Sequence, residues 1–278
     1  MEEVSRKDPF KTRIHEIDFL RGLLMFLVIM DHIFNLLMSF NKGWAGGAQA
    51  IADGNGIQPF LGIYQVAHFY WTNPARMIVR WICLGAFCFV SGVSCAFSRN
   101  NWKRAGQMIA LWFIIFLFSN ILQAIASTYN WQLGVNSFRV DFNIIGVLAW
   151  STLIYCFVQD KSWKWLMVVG IIALVLHPIC VLLSWTEWGK ATYAPAFWRP
   201  TAEAYYQADH MPLFPYLAFF IGGAILSKFT YSVSKKSYFK QHEWERPFCF
   251  VGRHSLIIYA SHFLLLIGIF SLVGLFIK

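Results

Sequence analysis

Apolar residues run along this chain in long blocks, and short segments rich in charge, proline and glycine separate them. With about 20 apolar residues taken as one crossing of a bilayer core, the pattern predicts seven spans: 17–40, 77–98, 107–129, 141–158, 163–185, 212–230 and 255–277. The fourth is short and interrupted by Gly146 and Ser151, and a short or re-entrant segment around 57–70 would change the count. The expected fold class is all-α, a polytopic transmembrane helix bundle of about seven spans. The chain shows no repeat and no linker, so 1–278 reads as a single domain with 1–16 as a cytoplasmic arm. The first apolar run is too long and too charged for a secretory signal, lacks a small-residue cleavage site, and is expected to be retained.

Composition agrees. Of the 278 residues 58% are hydrophobic and only 13% charged, and the mean hydropathy is +0.51. These values lie far from those of soluble domains. The net charge of +9 suits loops that face an anionic membrane surface. No basic stripe interleaves with exposed aromatics, so no nucleic-acid partner is expected. The six cysteines lie in or beside apolar blocks without a C-x-x-C pair, which predicts reduced core residues and neither disulfides nor a metal site.

Lys and Arg set the orientation. Arg6, Lys11 and Arg13, then Lys103 and Arg104, then Lys161 and Lys164, then Lys228, Lys240 and Arg246 fall on one side of the seven-span scheme, against Lys42, Arg139 and Lys190 on the other. The positive-inside rule places the N-terminus in the cytoplasm and the C-terminus outside. Two long outer loops follow, 41–76 and 186–211; the second is rich in Trp, Tyr and Pro and reads as an ordered cap over a polar substrate.

The first span nevertheless carries Asp18, Arg21, Asp31 and His32. A helix advances about 100° and 1.5 Å per residue, so Arg21 and His32 lie on nearly one face about 16 Å apart, with Asn35 one turn beyond. Charges at bilayer depth cost several kcal/mol and normally face protein or a wet cavity, so this helix is expected to line a cavity reached from both sides. The structural alternative is an Asp18–Arg21 ion pair at the interface, with Asp31 or His32 bridging a neighbouring helix. Arg80 is expected to pair with Asp31. His177 precedes Pro178 and reads as structural, His262 as either cavity-facing or packing, and His15, His210 and His242 as interfacial or loop residues. Gly85, Gly92, Gly222 and Gly223 read as close-packing positions.

The stretch RIHEIDFLRGLLMFLVIMDHIFNLL at 13–37 resembles the first helix of the heparan-α-glucosaminide N-acetyltransferase catalytic-domain family, and Arg21 to His32 fits the R-x(10)-H pattern of the wider membrane acyltransferase superfamily. LGAFCFVSGVSCAFSR at 84–99, PLFPYLAFFIGGAILSK at 212–228 and VGRHSLIIYASH at 251–262 agree in order, so the resemblance spans most of the chain. It implies a membrane acyltransferase fold and transfer of an acetyl or acyl group from cytoplasmic acyl-CoA, acetyl-CoA above all, to an amino or hydroxyl group of a sugar or glycan on the opposite side. It also implies a homodimer among membrane lipid and, from the compact length, a multi-pass protein of a bacterial cytoplasmic membrane.

Under that resemblance Arg21, Arg99, Lys103, Arg104, Arg253 and His254 are the candidate partners of the nucleotide phosphates. His32 is the first candidate for the base, beside Asp31, with Asn35, Ser91 or a backbone N–H as oxyanion donor. In the lysosomal relatives the position matching His32 holds Asn and a loop histidine is assigned to catalysis; here His68, in QVAHFYWTNPAR, competes for that role. The alternative function is a proton-coupled secondary transporter of a small polar solute, which also needs ionisable groups in wet cavities. Against it stands the absence of a detectable inverted repeat.

The topology is testable with single cysteines in a Cys-depleted background. Asn55→Cys should react with an impermeant thiol reagent from outside and Ser237→Cys only from inside. Labelling of both from one face refutes the helix count.

Overall fold

The computed structural model describes residues 14–98, 100–129, 138–198, 207–231 and 237–277, and these residues form an all-helical bundle with no strand. The helices are α1 (His15–Trp44), α2 (Gly47–Ala52), α3 (Phe60–Thr72), α4 (Pro74–Val93), α5 (Asn101–Thr128), α6 (Ile144–Val158), α7 (Trp163–Ser184), α8 (Glu187–Ala191), α9 (Tyr216–Phe229), α10 (Arg246–Arg253) and α11 (Ser255–Ile277). Five of them, α1, α4, α5, α7 and α11, are long and apolar enough to cross a membrane, while α6 and α9 are shorter apolar helices. Every predicted span thus corresponds to an apolar helix.

Asparagine starts several of these helices, because its side-chain oxygen can satisfy amide N–H groups that the first turn leaves unpaired. Asn73 accepts from the Ala75 amide at 2.9 Å just ahead of Pro74, and Asn100 accepts from the Lys103 amide at 2.9 Å. Asn143 accepts from the amides of Ile145 and Gly146 at 3.1 and 3.3 Å. This last cap delays α6 to Ile144, three residues later than the hydropathy pattern places it. At 15 and 14 residues, α6 and α9 are about 22 Å long, short of a full hydrocarbon core. Both are held inside the bundle: Ile145, Val147 and Ala149 of α6 and Phe220, Ile221 and Ala224 of α9 are fully buried.

Two crossings bring helix backbones into direct contact. A Cβ on Gly22 of α1 would fall within the Phe248 carbonyl of α10, and one on Gly252 within the Asp18 carbonyl. Likewise a Cβ on Gly92 of α4 would overlap the Phe220 carbonyl of α9, and one on Gly223 the Phe89 carbonyl. In lipid, where apolar surface gains nothing by leaving water, such close approach of small residues is a main source of helix adhesion. Of the expected packing glycines, Gly92 and Gly223 hold the contact. Gly85 and Gly222 meet only the side chains of Phe219 and Phe89.

The outer loop 41–76 is in fact largely helical. α3 forms within the segment flagged around 57–70, lies against α1, and leaves Ile63, Val66 and Phe69 exposed on its outer face. At the opposite end of the chain α10 and α11 are separated only by His254, whose amide still donates to the carbonyls of Phe250 and Val251. α10 is amphipathic and packs on α1 through edge-to-face contacts of Phe248 and Phe19. All six cysteines are buried and free.

Replacing Gly22 or Gly92 by Val should separate a helix pair by more than side-chain rearrangement can absorb, because the obstacle is backbone. Each variant is expected to lose most folded monodisperse protein in detergent by size exclusion, whereas Gly106→Val, which meets nothing within 4 Å, should behave as wild type. Normal folding of Gly22→Val contradicts the crossing.

Candidate functional site

Four ionisable groups of α1 fall into two cavities, Asp18 and Arg21 in one and Asp31 and His32 in the other. The one called outer, after the orientation expected from the positive residues, has a volume of about 630 Å³ and is bounded by α1, α4, α7, the 207–216 segment and Tyr259 of α11. Asp31, His32 and Asn35 of α1 all line it, as the one-face reading of that helix requires.

Asp31 is fully committed. Its carboxylate accepts from Arg76 Nε at 2.6 Å and Nη2 at 2.8 Å and from the Tyr70 hydroxyl at 3.1 Å. The Arg76 guanidinium lies 3.5 Å from the centre of the Trp71 ring, and Tyr70 stacks on Phe34 of α1. With side chains only 19% and 7% exposed, the Asp31–Arg76 pair ties α1 to the start of α4 and to the end of α3. Loss of one partner from such a pair strands a charge at a cost of about 3–5 kcal/mol. The expected Asp31–Arg80 pair does not form. Arg76 is nearer the helix start and its two guanidinium nitrogens face the carboxylate squarely, a geometry worth more than a single contact. Asp31 is therefore not the group that orients His32.

His32 lies with its ring 4.9 Å from that of His262 and 5.4 Å from Phe263, and makes no hydrogen bond among the described residues. His262 is buried. Its Nδ1 is 2.7 Å from the Tyr259 carbonyl, which can only accept, so Nδ1 carries the proton; Nε2 is buried with no hydrogen-bond partner among the described residues. The Tyr259 hydroxyl donates to Asp209 Oδ2 at 2.6 Å. His68, by contrast, is exposed on α3, sits beside Tyr64, and lines neither cavity.

The inner cavity, of about 520 Å³, is lined by Asp18, Arg21, Ser91, Ser94, Arg104 and Arg253 among others. Asp18 pairs not with Arg21 but with Arg253 Nε, at 3.2 Å. Arg21 donates instead to Ser94 Oγ, which in turn donates to the Val90 carbonyl at 2.7 Å. An i,i+3 pair on α1 would have been local, and the long-range partner wins because the Gly22–Gly252 contact lays α10 directly over Asp18. Lys103 and His254 are exposed and do not line the cavity; His254 Nδ1 is held by the Phe250 carbonyl at 2.9 Å. Arg99 lies outside the described residues.

Only a thin wall separates the cavities: Tyr259 and Ile144 line both. Ile144 is fixed by the Asn143 cap, and Tyr259 by its bond to Asp209. The segment carrying Asp209 is itself strapped down, since the Ala208 amide donates to the Arg139 carbonyl at 2.8 Å and the Met211 amide to the Phe142 carbonyl at 3.0 Å. Arg139 bonds Asp141 at 2.7 Å and the Tyr193 hydroxyl at 3.0 Å. Burial, reinforced by the Asp141 carboxylate, pushes the Tyr193 phenol up to about 12, so it stays neutral.

Sequence reasoning missed Tyr259, Gln207 and Asp209. Tyr259 stands one turn before His262 in the stretch VGRHSLIIYASH, and a polar run, Gln207 to His210, ends at the Met-Pro that opens the sixth apolar block; both were legible signals. His210 is not a mere loop residue, since it lines the outer cavity while its Nε2 meets the Pro195 carbonyl at 2.8 Å. His177 also lines that cavity, although its place before Pro178 read as structural. Among the described residues no group of three or more His, Cys, Asp or Glu is placed to hold a metal.

A family model described as heparan-alpha-glucosaminide N-acetyltransferase, catalytic, matches residues 60–264, most of the chain. No curated protein and no solved structure matches. On that match, and with the bundle of apolar helices around two polar cavities, the chain belongs to the heparan-alpha-glucosaminide N-acetyltransferase catalytic family, whose members are transmembrane acetyltransferases.

Proposed function

We propose that this protein moves an acetyl group from acyl-CoA, held in the inner cavity, to an amino or hydroxyl group of a sugar or glycan held in the outer one. The observation that carries this reading is the shared wall: a cationic cavity and a histidine-bearing cavity meet at Tyr259 and Ile144. Arg21 and Arg104 supply charge for the nucleotide phosphates, and Arg253 adds to it although Asp18 holds part of its guanidinium. Ser91 and Ser98, which also line the inner cavity, offer hydroxyls to the amides of the pantetheine arm, whose length suits a path along the cavity toward Tyr259.

In the transfer step the acceptor's lone pair attacks the thioester carbon. His32 removes the proton from the attacking group, and the Asn35 amide is placed to donate to the oxyanion that forms. Collapse of the tetrahedral intermediate breaks the C–S bond, and the thiolate takes the proton from the His32 imidazolium. An ammonium acceptor first sheds one proton to water. His32 is favoured over His68 because it lines the cavity and His68 does not. The carrier reading has no observation of its own here, since family membership points to group transfer.

His32→Ala should lower kcat by roughly 10²–10⁴-fold, the usual cost of losing a general base, while leaving acetyl-CoA affinity nearly intact. His68→Ala should keep most of its turnover. Arg104→Gln should weaken acetyl-CoA binding by about tenfold, the loss of one charge-assisted contact, without changing kcat in proportion. Full activity of His32→Ala, or wild-type protein that binds no acetyl-CoA by calorimetry, overturns the reading.

A further inference from the structure

On α4 the outer cavity is lined by Arg76 and Arg80 and also by Val79 and Trp81, which flank the outward-facing Ile78 and Ile82 on the helix. Trp81 is 49% exposed, and Ile78 and Ile82 belong to the apolar surface that this membrane-length helix turns away from the bundle. On α7 the same cavity reaches His177, whose neighbours Leu174, Val175 and Ile179 are exposed apolar residues. The space that holds His32 thus continues to the lipid-facing flanks of two helices.

The shortness of α9 produces this opening. α4 and α7 both pack on α9, where a Cβ on Gly85 of α4 would meet the Phe219 ring and one on Gly170 of α7 would meet Ile221. Toward the outer end, Trp81 lies one turn beyond the first contact and His177 about two turns beyond the second. α9 begins only at Tyr216, so at the level of those two side chains the slot between α4 and α7 holds no turn of α9, and Pro212 and Pro215 line the cavity there. Phe219, exposed on the first turn of α9, forms the sill. Both Trp81 and His177 stand about two turns inside the ends of their helices, at bilayer depth.

Polar groups stand at this opening without partners. Neither the His177 imidazole nor the Trp81 indole N–H makes a hydrogen bond among the described residues, and Pro178 has no N–H to offer the Leu174 carbonyl one turn before His177. Hydrocarbon cannot satisfy such groups. An apolar flank beside unused donors and acceptors fits a ligand divided in the same way, with a hydroxyl-bearing head and an apolar tail.

We propose that the acceptor is a sugar carried on a membrane lipid, and that it enters the outer cavity sideways from the bilayer between α4 and α7. The inference rests on the outer cavity being the acceptor's, as proposed above. At the opening the Trp81 N–H donates to one sugar hydroxyl and His177 exchanges a hydrogen bond with another, the sugar lies in the cavity before His32, and the lipid chain stays in the bilayer along Ile78, Ile82 and the exposed face of α7. The anchor confines the sugar to the plane of the opening and so raises its effective concentration there. Trp81 and His177 are then positioning and specificity residues for the transfer. They take no part in bond making.

The test uses the full chain in phosphatidylcholine nanodiscs without acyl-CoA, and a hexadecyl glucosaminide that carries a diazirine on the chain beside the sugar. Light should attach the probe chiefly to the α4 peptide that holds Trp81 and the α7 peptide that holds His177. Unlabelled hexadecyl glucosaminide should displace it, whereas hexadecylphosphocholine at the same membrane fraction and methyl glucosaminide at the same total concentration should do so at least about tenfold less well. His177→Leu should raise the concentration of hexadecyl glucosaminide needed for displacement by roughly three- to tenfold, the scale of one lost hydrogen bond, and His177→Gln should restore part of the affinity. Trp81→Phe, which keeps an aromatic ring and loses the N–H, carries the test if His177→Leu fails to fold. Labelling spread evenly over the lipid-facing helices, or equal displacement by hexadecylphosphocholine, assigns the opening to ordinary lipid and overturns the proposal. Equal displacement by methyl glucosaminide overturns it as well, because the anchor then adds nothing. Acetyl-CoA added afterwards separates this claim from the acyl-transfer reading. Displaceable labelling at the opening with no acetylation of either glucosaminide sinks the transfer and leaves the lipid-carried sugar site standing; acetylation of methyl glucosaminide with no labelling at the opening sinks the lipid route alone.

Discussion

An ionised group at bilayer depth costs several kcal/mol unless it meets a partner or water, and α1 brings Asp18, Arg21, Asp31 and His32 into that setting. Much of the architecture answers this cost. Asp31 is closed by Arg76, with Tyr70 and Trp71 packed around the pair. Asp18 is met by Arg253, which α10 can present only because Gly22 and Gly252 allow the two backbones to touch. Arg21, held by Ser94, and His32 carry no ion pair among the described residues and face cavities, one on each side of the wall formed by Tyr259 and Ile144. The ion-paired carboxylates hold helices together, while Arg21 and His32 are the members of this set left without an ion pair among the described residues.

This division explains which features could be read from the sequence. Helices were legible because a bilayer demands long apolar blocks, and caps such as Asn143 moved only their ends. The cavity face of α1 was legible because His32 and Asn35 repeat at helical spacing. Pairing was not: Asp31 chose Arg76 over Arg80, and Asp18 chose Arg253 over Arg21, because partner choice depends on tertiary approach that a linear pattern does not carry. The same holds for α3. Its apolar residues were visible, but its docking on α1, which leaves His68 exposed, depends on the crossing of whole helices. Gln207 and Asp209 became site residues only through the backbone bonds that strap 207–211 to 139–142.

The pairing also changes the chemical picture of His32. A base held by an adjacent carboxylate was the simplest expectation, yet Asp31 is occupied, and the nearest titratable ring is that of His262, whose Nδ1 proton goes to the Tyr259 carbonyl. His32 is thus placed by packing against His262 and Phe263, and neither ring nitrogen has a hydrogen-bond partner among the described residues. Tyr259 acquires a double role in this arrangement. Its carbonyl fixes the tautomer of His262, and its ring stands between the two cavities with the hydroxyl tied to Asp209.

The central claim is that donor and acceptor reach one reaction centre from opposite faces of the membrane. Purified protein in sealed vesicles, sorted so that the N-terminal side faces one known compartment, allows a direct measurement with acetyl-labelled acetyl-CoA confined to that compartment and glucosamine confined to the other. The account predicts labelled N- or O-acetyl sugar on the acceptor side, with free CoA staying on the donor side, and none when the two substrates are exchanged between compartments. Product that forms only when both substrates share one compartment would contradict it.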